Sequence, residues 1–275
     1  MSSLLEEFER FLDSKYSSVH TKRAYIRDVK EFLDSYNSFG ADSLSRYEQT
    51  LFERGLKASS ISRKFASLSV FFEFLKEKGI VEKNYTKLID KPKAEKNLPR
   101  FLDVDETLAL LESIEDKRDR AILELLYSSS LRASELVNLN VEDLDFEHLR
   151  LRVKRKGGRT FYVPFSERAK HHLVDYIRDR KKGALFLNRY GGRLSTRYLQ
   201  RIVKRYSLNI IFKDISPHTL RHTKATHLLN SGMDIRLLQR FLGHSTIKAT
   251  QIYTHVNLKQ LAEVYDKTHP LSKDE

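Results

Sequence analysis

SPHTLRHTKATHLLNSG (216–232), LQRFLGHS (238–245) and IKATQIYTH (247–255) follow one another within forty residues. Their reading organises the rest of the chain. Ser216 is a good N-cap and Pro217 suits the first helical position, so the spacing predicts a helix whose first turn carries His218 and Arg221 on one face. Backbone N–H groups and the positive end of the helix dipole make such a turn favourable for an anion. His244 follows Gly243 at a predicted helix end, and Tyr253 stands nine residues beyond it. Arginine offers a planar fork matched to phosphate oxygens. Histidine can hydrogen-bond or carry a proton near neutral pH, and tyrosine can form a covalent intermediate. The substrate suited to that set is a phosphodiester.

Composition narrows the setting. The 275 residues leave room for two domains, and the absence of cysteine excludes disulfides, thiolate metal sites and a cysteine nucleophile. The first residues, MSSLLEEFERFLDSKY, lack a basic segment followed by an apolar core, and no later run approaches a membrane span, so a soluble cytoplasmic protein is expected. The formal net charge is +13. Residues 1–98 hold 18 basic and 15 acidic side chains, leaving 32 against 22 for residues 99–275, so the excess lies with the motif-bearing part. A basic balance of that size points first to nucleic acid.

Residues 1–83 read as a small helical bundle. Ser3 with Glu6 has the spacing of a capping box before the apolar stripe Leu5, Phe8, Phe11 and Leu12. Tyr25, Val29, Phe32, Leu33 and Tyr36 mark a second helix, Leu44, Tyr47 and Leu51 a third, and Ile61, Phe65, Leu68, Phe72 and Leu75 a fourth that Gly79 ends. Phe71, Phe72 and Phe74 are expected in the core. Lys22, Arg23, Arg27, Arg63 and Lys64 suit either a solvated face or phosphate contacts. From Asn84 to Arg100 the apolar period lapses into NYTKLIDKPKAEKNLPR, whose two prolines and repeated lysines predict an extended basic linker over residues 84–100.

Residues 101–275 read as a mixed domain. Helical patterns resume at DVDETLALLESI (103–114) and from Arg118, the latter running into LRASEL (131–136). Alternating runs over 144–153 and 160–165, separated by KRKGGR (154–159), predict a β-hairpin. Helices are predicted again over 166–180 and 194–208, the second with Arg197, Arg201, Lys204 and Arg205 on a face that suits a major groove or plain solvent. Past Tyr253, Leu258, Leu261, Val264 and Tyr265 have helical spacing. The fold class expected is therefore mainly α with a small β-sheet. His218 and His222 have an i, i+4 spacing compatible with zinc and His227 is nearby, but HTLRH lacks the glutamate of HExxH and no carboxylate cluster accompanies it. Neither a metal nor another cofactor is expected.

The combination of His218-x-x-Arg221, Leu242-Gly243-His244 and Tyr253 resembles the tyrosine recombinase (phage integrase) family. LRASEL resembles the family's first arginine motif, with Ser130 in place of the usual glycine; if that turn needs positive φ, the serine brings strain. The resemblance implies two domains: an N-terminal SAM-like core-binding bundle and a C-terminal catalytic domain with an exchange helix at its end. It implies that Tyr253 attacks phosphorus to form a 3′-phosphotyrosyl link, that Arg132 and Arg221 hold the non-bridging oxygens, that His218 is the base and that His244 hydrogen-bonds the phosphate. Lys156 falls at the place of the family's catalytic lysine, the acid for the 5′ oxygen, although Lys154, Arg155 and Arg159 crowd the same turn. Glu135 would be a buried supporting residue. Phe161 stands where an arginine often occurs.

The whole chain looks most like a Xer-type recombinase, with no room for an additional arm-binding domain before the bundle. The implied activity is site-specific recombination through a Holliday junction, resolving chromosome or plasmid dimers. Implied partners are double-stranded DNA with an inverted-repeat core site, three further protomers of the same or a second recombinase, and a regulatory protein. No membrane partner is expected, and the place of action is the nucleoid. An integrase of a phage or mobile element, a type IB topoisomerase-like enzyme and a non-catalytic DNA-binding protein are the alternatives.

Overall fold

The computed structural model describes residues 2–89, 101–154 and 160–243. The chain divides into two compact units, residues 1–97 and 98–275.

In the first unit, α1 (Ser2–Lys15), α2 (Val19–Leu33), α3 (Ala41–Glu53) and α4 (Ala58–Glu77) bury one stripe each. Phe8, Phe32, Phe65, Phe71 and Phe72 are fully buried at their meeting, and Phe74 is nearly so. Their rings pack edge to face as well as stacked, the Phe8 and Phe71 centroids lying 5.0 Å apart. Ser18 caps α2 through the Thr21 N–H. Gly79, at φ +71°, closes α4 as the Gly79 and Ile80 N–H groups reach back to the Lys76 and Leu75 carbonyls.

Two local expectations are corrected here. The first helix already runs from Ser2, so Ser3 sits inside its first turn and not at the cap position. The linker expected from residue 84 is also misplaced at its start. Asn84 is buried, donates its amide to the Ser69 carbonyl and Glu73, and accepts from Thr86 at the head of a 3₁₀ turn over Tyr85–Lys87 that packs on α4. A polar asparagine bonded to three residues, Ser69, Glu73 and Thr86, holds this segment to the bundle without an apolar period to announce it. Residues 90–100 of the linker lie outside the described residues.

In the second unit, α5 (Val104–Glu112), α6 (Lys117–Ser129) and α7 (Ala133–Asn138) precede the strands β1 (Leu144–Asp145), β2 (Arg150–Lys154) and β3 (Thr160–Pro164). The strands form an antiparallel sheet in the order β1-β2-β3, with Leu151 facing Val163 and Val153 facing Phe161. The run 144–153, expected as one strand, is broken by a turn in which Asp145 accepts from the His148 N–H. Leu151, Val153 and Val163 put the sheet's apolar face into the core shared with α6, where Ile122, Leu125 and Leu126 are fully buried. Then come α8 (Glu167–Ile177), α9 (Thr196–Ile210), α10 (Pro217–Asn230) and α11 (Ile235–Leu242). Among these, α10 is central: it packs on α6, α9 and α11 and buries Leu220, Arg221, Thr223, Ala225, Thr226 and Leu229. A helix covered on several sides shows no single apolar stripe.

Candidate active site

The N-terminus of α10 is built as its sequence suggests. Ser216 Oγ accepts the Thr219 N–H at 3.3 Å and Pro217 occupies the first turn, which needs no N–H from it. Arg221, one turn on, is 2 % exposed. Its guanidinium donates to the Ser130 carbonyl and, at 2.5 Å, to the Leu242 carbonyl. Ser130 is the C-cap of α6 and Leu242 the last residue of α11, so one buried cation meets the negative ends of two helices. Gly243 turns α11 off in the left-handed region, at φ +60°.

Ser130 is also left-handed, at φ +51°, so the turn that usually carries glycine does require positive φ here. Its Oγ is buried with no hydrogen-bond partner among the described residues. Arg132 follows at the N-cap of α7, where its N–H donates to Glu135 Oε2 at 2.9 Å and its guanidinium to Glu135 Oε1 at 2.8 Å. Glu135 exposes only 7 % of its side chain while Arg132 exposes 43 % of its own. The carboxylate thus braces an arginine that keeps its outer edge in solvent.

His218 joins them. Its side chain is exposed, but partial loss of hydration pushes its pKa below the usual histidine range, and the Arg221 and Arg132 guanidiniums push it in the same direction. Neutral pH therefore finds it as free imidazole. Its Nε2 lies 2.9 Å from His222 Nε2, with ring centroids 4.3 Å apart. His227 faces away from the pair: its Nε2 meets the Leu102 carbonyl at 2.9 Å, which puts the hydrogen there and leaves Nδ1 to accept the Tyr127 hydroxyl at 2.8 Å. The Leu102 N–H donates to Thr223, so α10 holds both backbone groups of Leu102. Lys224 lies over the Tyr127 ring at 4.9 Å, and burial lowers its pKa.

Four of the residues singled out in the sequence, Arg132, Glu135, His218 and Arg221, are thus brought together by the end of α6, α7 and α10. Lys156, His244 and Tyr253 lie outside the described residues. The contact of His222 with His218 was not anticipated, although their i, i+4 spacing was visible as a zinc spacing.

The basic faces divide. On α9, Lys204 pairs with Asp214 at 2.6 Å and Arg205 with the buried Asp119 at 2.8 Å, whereas Arg197 and Arg201 are exposed. In the first unit, Arg63 and the nearly buried Lys64 are held by Asp28 and Glu31, and Lys22 by Asp13; Arg23 and Arg27 are exposed, Arg27 lying 3.7 Å from Asp28. No helix among the described residues is long and apolar enough to cross a membrane.

Comparison with known proteins identifies the family. The phage integrase family pattern matches residues 94–260, and the N-terminal SAM-like domain of phage integrases matches residues 5–79. The chain belongs to the phage integrase family, as a Xer-type tyrosine site-specific recombinase. It is 41 % identical to tyrosine recombinase XerC of Thermodesulfovibrio yellowstonii, over 95 % of this chain and 94 % of that one. Among solved structures it resembles the XerA recombinase at 27 % identity and a TM-score of 0.58, covering 98 % of this chain and 99 % of that one. It also resembles the XerH recombinase bound to a palindromic difH substrate in a post-cleavage complex, at 21 % identity and a TM-score of 0.72, covering 97 % and 84 %; that likeness is one of fold. Both the mainly helical class with a small sheet and the SAM-like N-terminal domain expected from the sequence hold.

Proposed function

We propose that the chain cuts and rejoins double-stranded DNA at an inverted-repeat core site through a 3′-phosphotyrosyl intermediate on Tyr253, four protomers acting together through a Holliday junction. The observation that carries this reading is the assembly of Arg132, His218 and Arg221 at one helix end, with Arg221 oriented by two backbone carbonyls. In this mechanism the two guanidiniums hold the non-bridging oxygens and offset the charge that grows on pentacoordinate phosphorus. A phenol titrates near about 10, so it must give up its proton to a base. His218, kept neutral by partial loss of hydration and by those guanidiniums, takes it. His244 donates to a phosphate oxygen and Lys156 protonates the departing 5′ oxygen. Because the link conserved in the adduct is itself a phosphodiester, rejoining is the reverse step and needs no nucleotide cofactor. The role is resolution of chromosome or plasmid dimers in the cytoplasm, on the nucleoid, with a regulatory partner controlling assembly.

The test removes one oxygen. Tyr253→Phe should bind a nicked suicide duplex as the parent does, yet form none of the denaturation-resistant adduct that the parent accumulates. Tyr206→Phe is the control, since that hydroxyl is bound to Asp119. An adduct on the Tyr253→Phe protein, or none on the parent under conditions where it binds DNA, would refute the assignment.

A further inference from the structure

His218 and His222 make an unusual contact for two neighbours on one helix. Two imidazole Nε2 atoms at 2.9 Å can share a hydrogen bond only if one carries the hydrogen and the other presents a lone pair. The pair therefore has two arrangements. In one, His222 donates, so that neutral His218 has its hydrogen on Nδ1 and both of its nitrogens are spent. In the other, His218 donates from Nε2 and keeps a lone pair on Nδ1, which has no hydrogen-bond partner among the described residues. Only the second leaves His218 able to accept a proton while the contact persists.

We infer that His222 is a positioning residue for DNA cleavage: its Nε2 accepts the Nε2–H of His218 and so holds His218 in the tautomer whose Nδ1 takes the Tyr253 proton. The inference rests on the reading of His218 as the base. When the phenolic hydrogen moves to Nδ1, His218 becomes an imidazolium while its Nε2–H still points at a neutral acceptor. The positive charge then lies beside Arg221 on the same helix and Arg132 at the start of α7, the charged groups that face His218 among the described residues. An acceptor at Nε2 opposes their effect by stabilising the protonated form. On rejoining, Nδ1 returns its hydrogen to the tyrosine oxygen and the starting tautomer is restored. The i, i+4 spacing provides the reach, and the helix backbone sets the distance without help from a loop.

The sign of the pH effect follows. His218 acts when neutral, so the cleavage rate rises with pH through its pKa. Removing the acceptor destabilises the imidazolium, so the limb moves to lower pH while the plateau falls, because His218 then samples the tautomer with Nδ1 blocked.

Two measurements on the full chain decide the matter. Two-bond ¹H–¹⁵N spectra of the DNA-free protein should show neutral His218 with its hydrogen on Nε2; a hydrogen on Nδ1 overturns the proposal whether or not the protein cleaves DNA. In single-turnover cleavage of the suicide duplex, His222→Phe, which keeps a ring of similar size, should lower the plateau by about 10- to 100-fold and shift the limb down, with duplex affinity unchanged. His222→Gln, whose Oε1 can accept from Nε2, should recover much of the rate. A His222→Phe protein with the parent's plateau and limb, or a glutamine variant no better than phenylalanine, overturns the inference. Absence of adduct on the parent would instead count against the proposed function, leaving the tautomer measurement to decide the role of His222.

Discussion

Ser130 carries two unfavourable features at one position. Its φ of +51° costs a residue with a side chain about 1 to 2 kcal/mol, and its buried hydroxyl has no partner among the described residues. Both follow from placing a serine where the chain must turn sharply to aim the Ser130 carbonyl at Arg221. Ser130→Gly removes them, and the greater freedom of glycine in the unfolded chain offsets about 0.5 to 1 kcal/mol of the gain. The net expectation is a stabilisation of about 1 kcal/mol, read as a higher urea midpoint at constant slope, with cleavage retained. A lower midpoint would mean that the serine hydroxyl contributes something its surroundings do not show. The motif LRASEL made the turn legible in the sequence, but the partner of that turn, a guanidinium 91 residues away, was beyond any local pattern.

Helices, as elements, were largely legible: the cap at Ser216 and the stops at Gly79 and Gly243 are short-range chemistry. What their polar faces do was not. Lys64 looks like a solvated lysine until Glu31 arrives from α2 at 2.5 Å, and Arg205 until Asp119 arrives from α6. Periodicity reports which face is polar and says nothing about which charges are already paired. That distinction gives a test on α9. Replacing exposed Arg197 or Arg201 with Ala should flatten the logarithmic salt dependence of duplex binding by about one each, whereas Arg205→Ala should change it little, its charge already answering a buried carboxylate. Equal effects at all three positions would show that the Arg205–Asp119 pair opens on DNA. The same α10 that carries the site also makes the catalytic unit sensitive to mild acid. His218 and His227 on α10, and His172 on α8, all have pKa values below the free histidine range, chiefly through burial. The unfolded chain therefore binds more protons than the folded one around and below pH 6.5, so stability falls as pH drops through that range. Asp28 and Glu31, whose pKa values are lowered, lose their contribution only in the more acidic carboxylate range. Urea midpoints between pH 7.5 and 5.5 should decline for the parent and decline less for His227→Gln, which removes one of the three suppressed groups.

At the scale of the molecule, the described part of the site lies within one of the two units. Arg132, His218 and Arg221 form one braced cluster inside the second unit, held there by Glu135, the Ser130 carbonyl and the Leu242 carbonyl. Recombination demands more than one such cluster, since exchanging both strands of two duplexes takes four cuts and hence four tyrosines. Something must join the protomers. The residues past Tyr253 are candidates for that task by composition: Leu258, Leu261, Val264 and Tyr265 recur at helical spacing among lysine, glutamine and glutamate, the pattern of a helix that buries one side against its own domain or a neighbour's. Truncation after Val256 separates the two levels because it leaves Tyr253 in place. A chain ending there should bind a single half-site with the parent's affinity, since the exposed basic groups on α9 and in the first unit are untouched. It should fail to convert two core sites into recombinants, and its gel-shift should stop at the complexes that one or two independently bound protomers give. If the truncated chain recombines at the parent's rate, the terminal segment takes no part in assembly; if it loses half-site binding as well, the segment supports its own domain and passes to no neighbour.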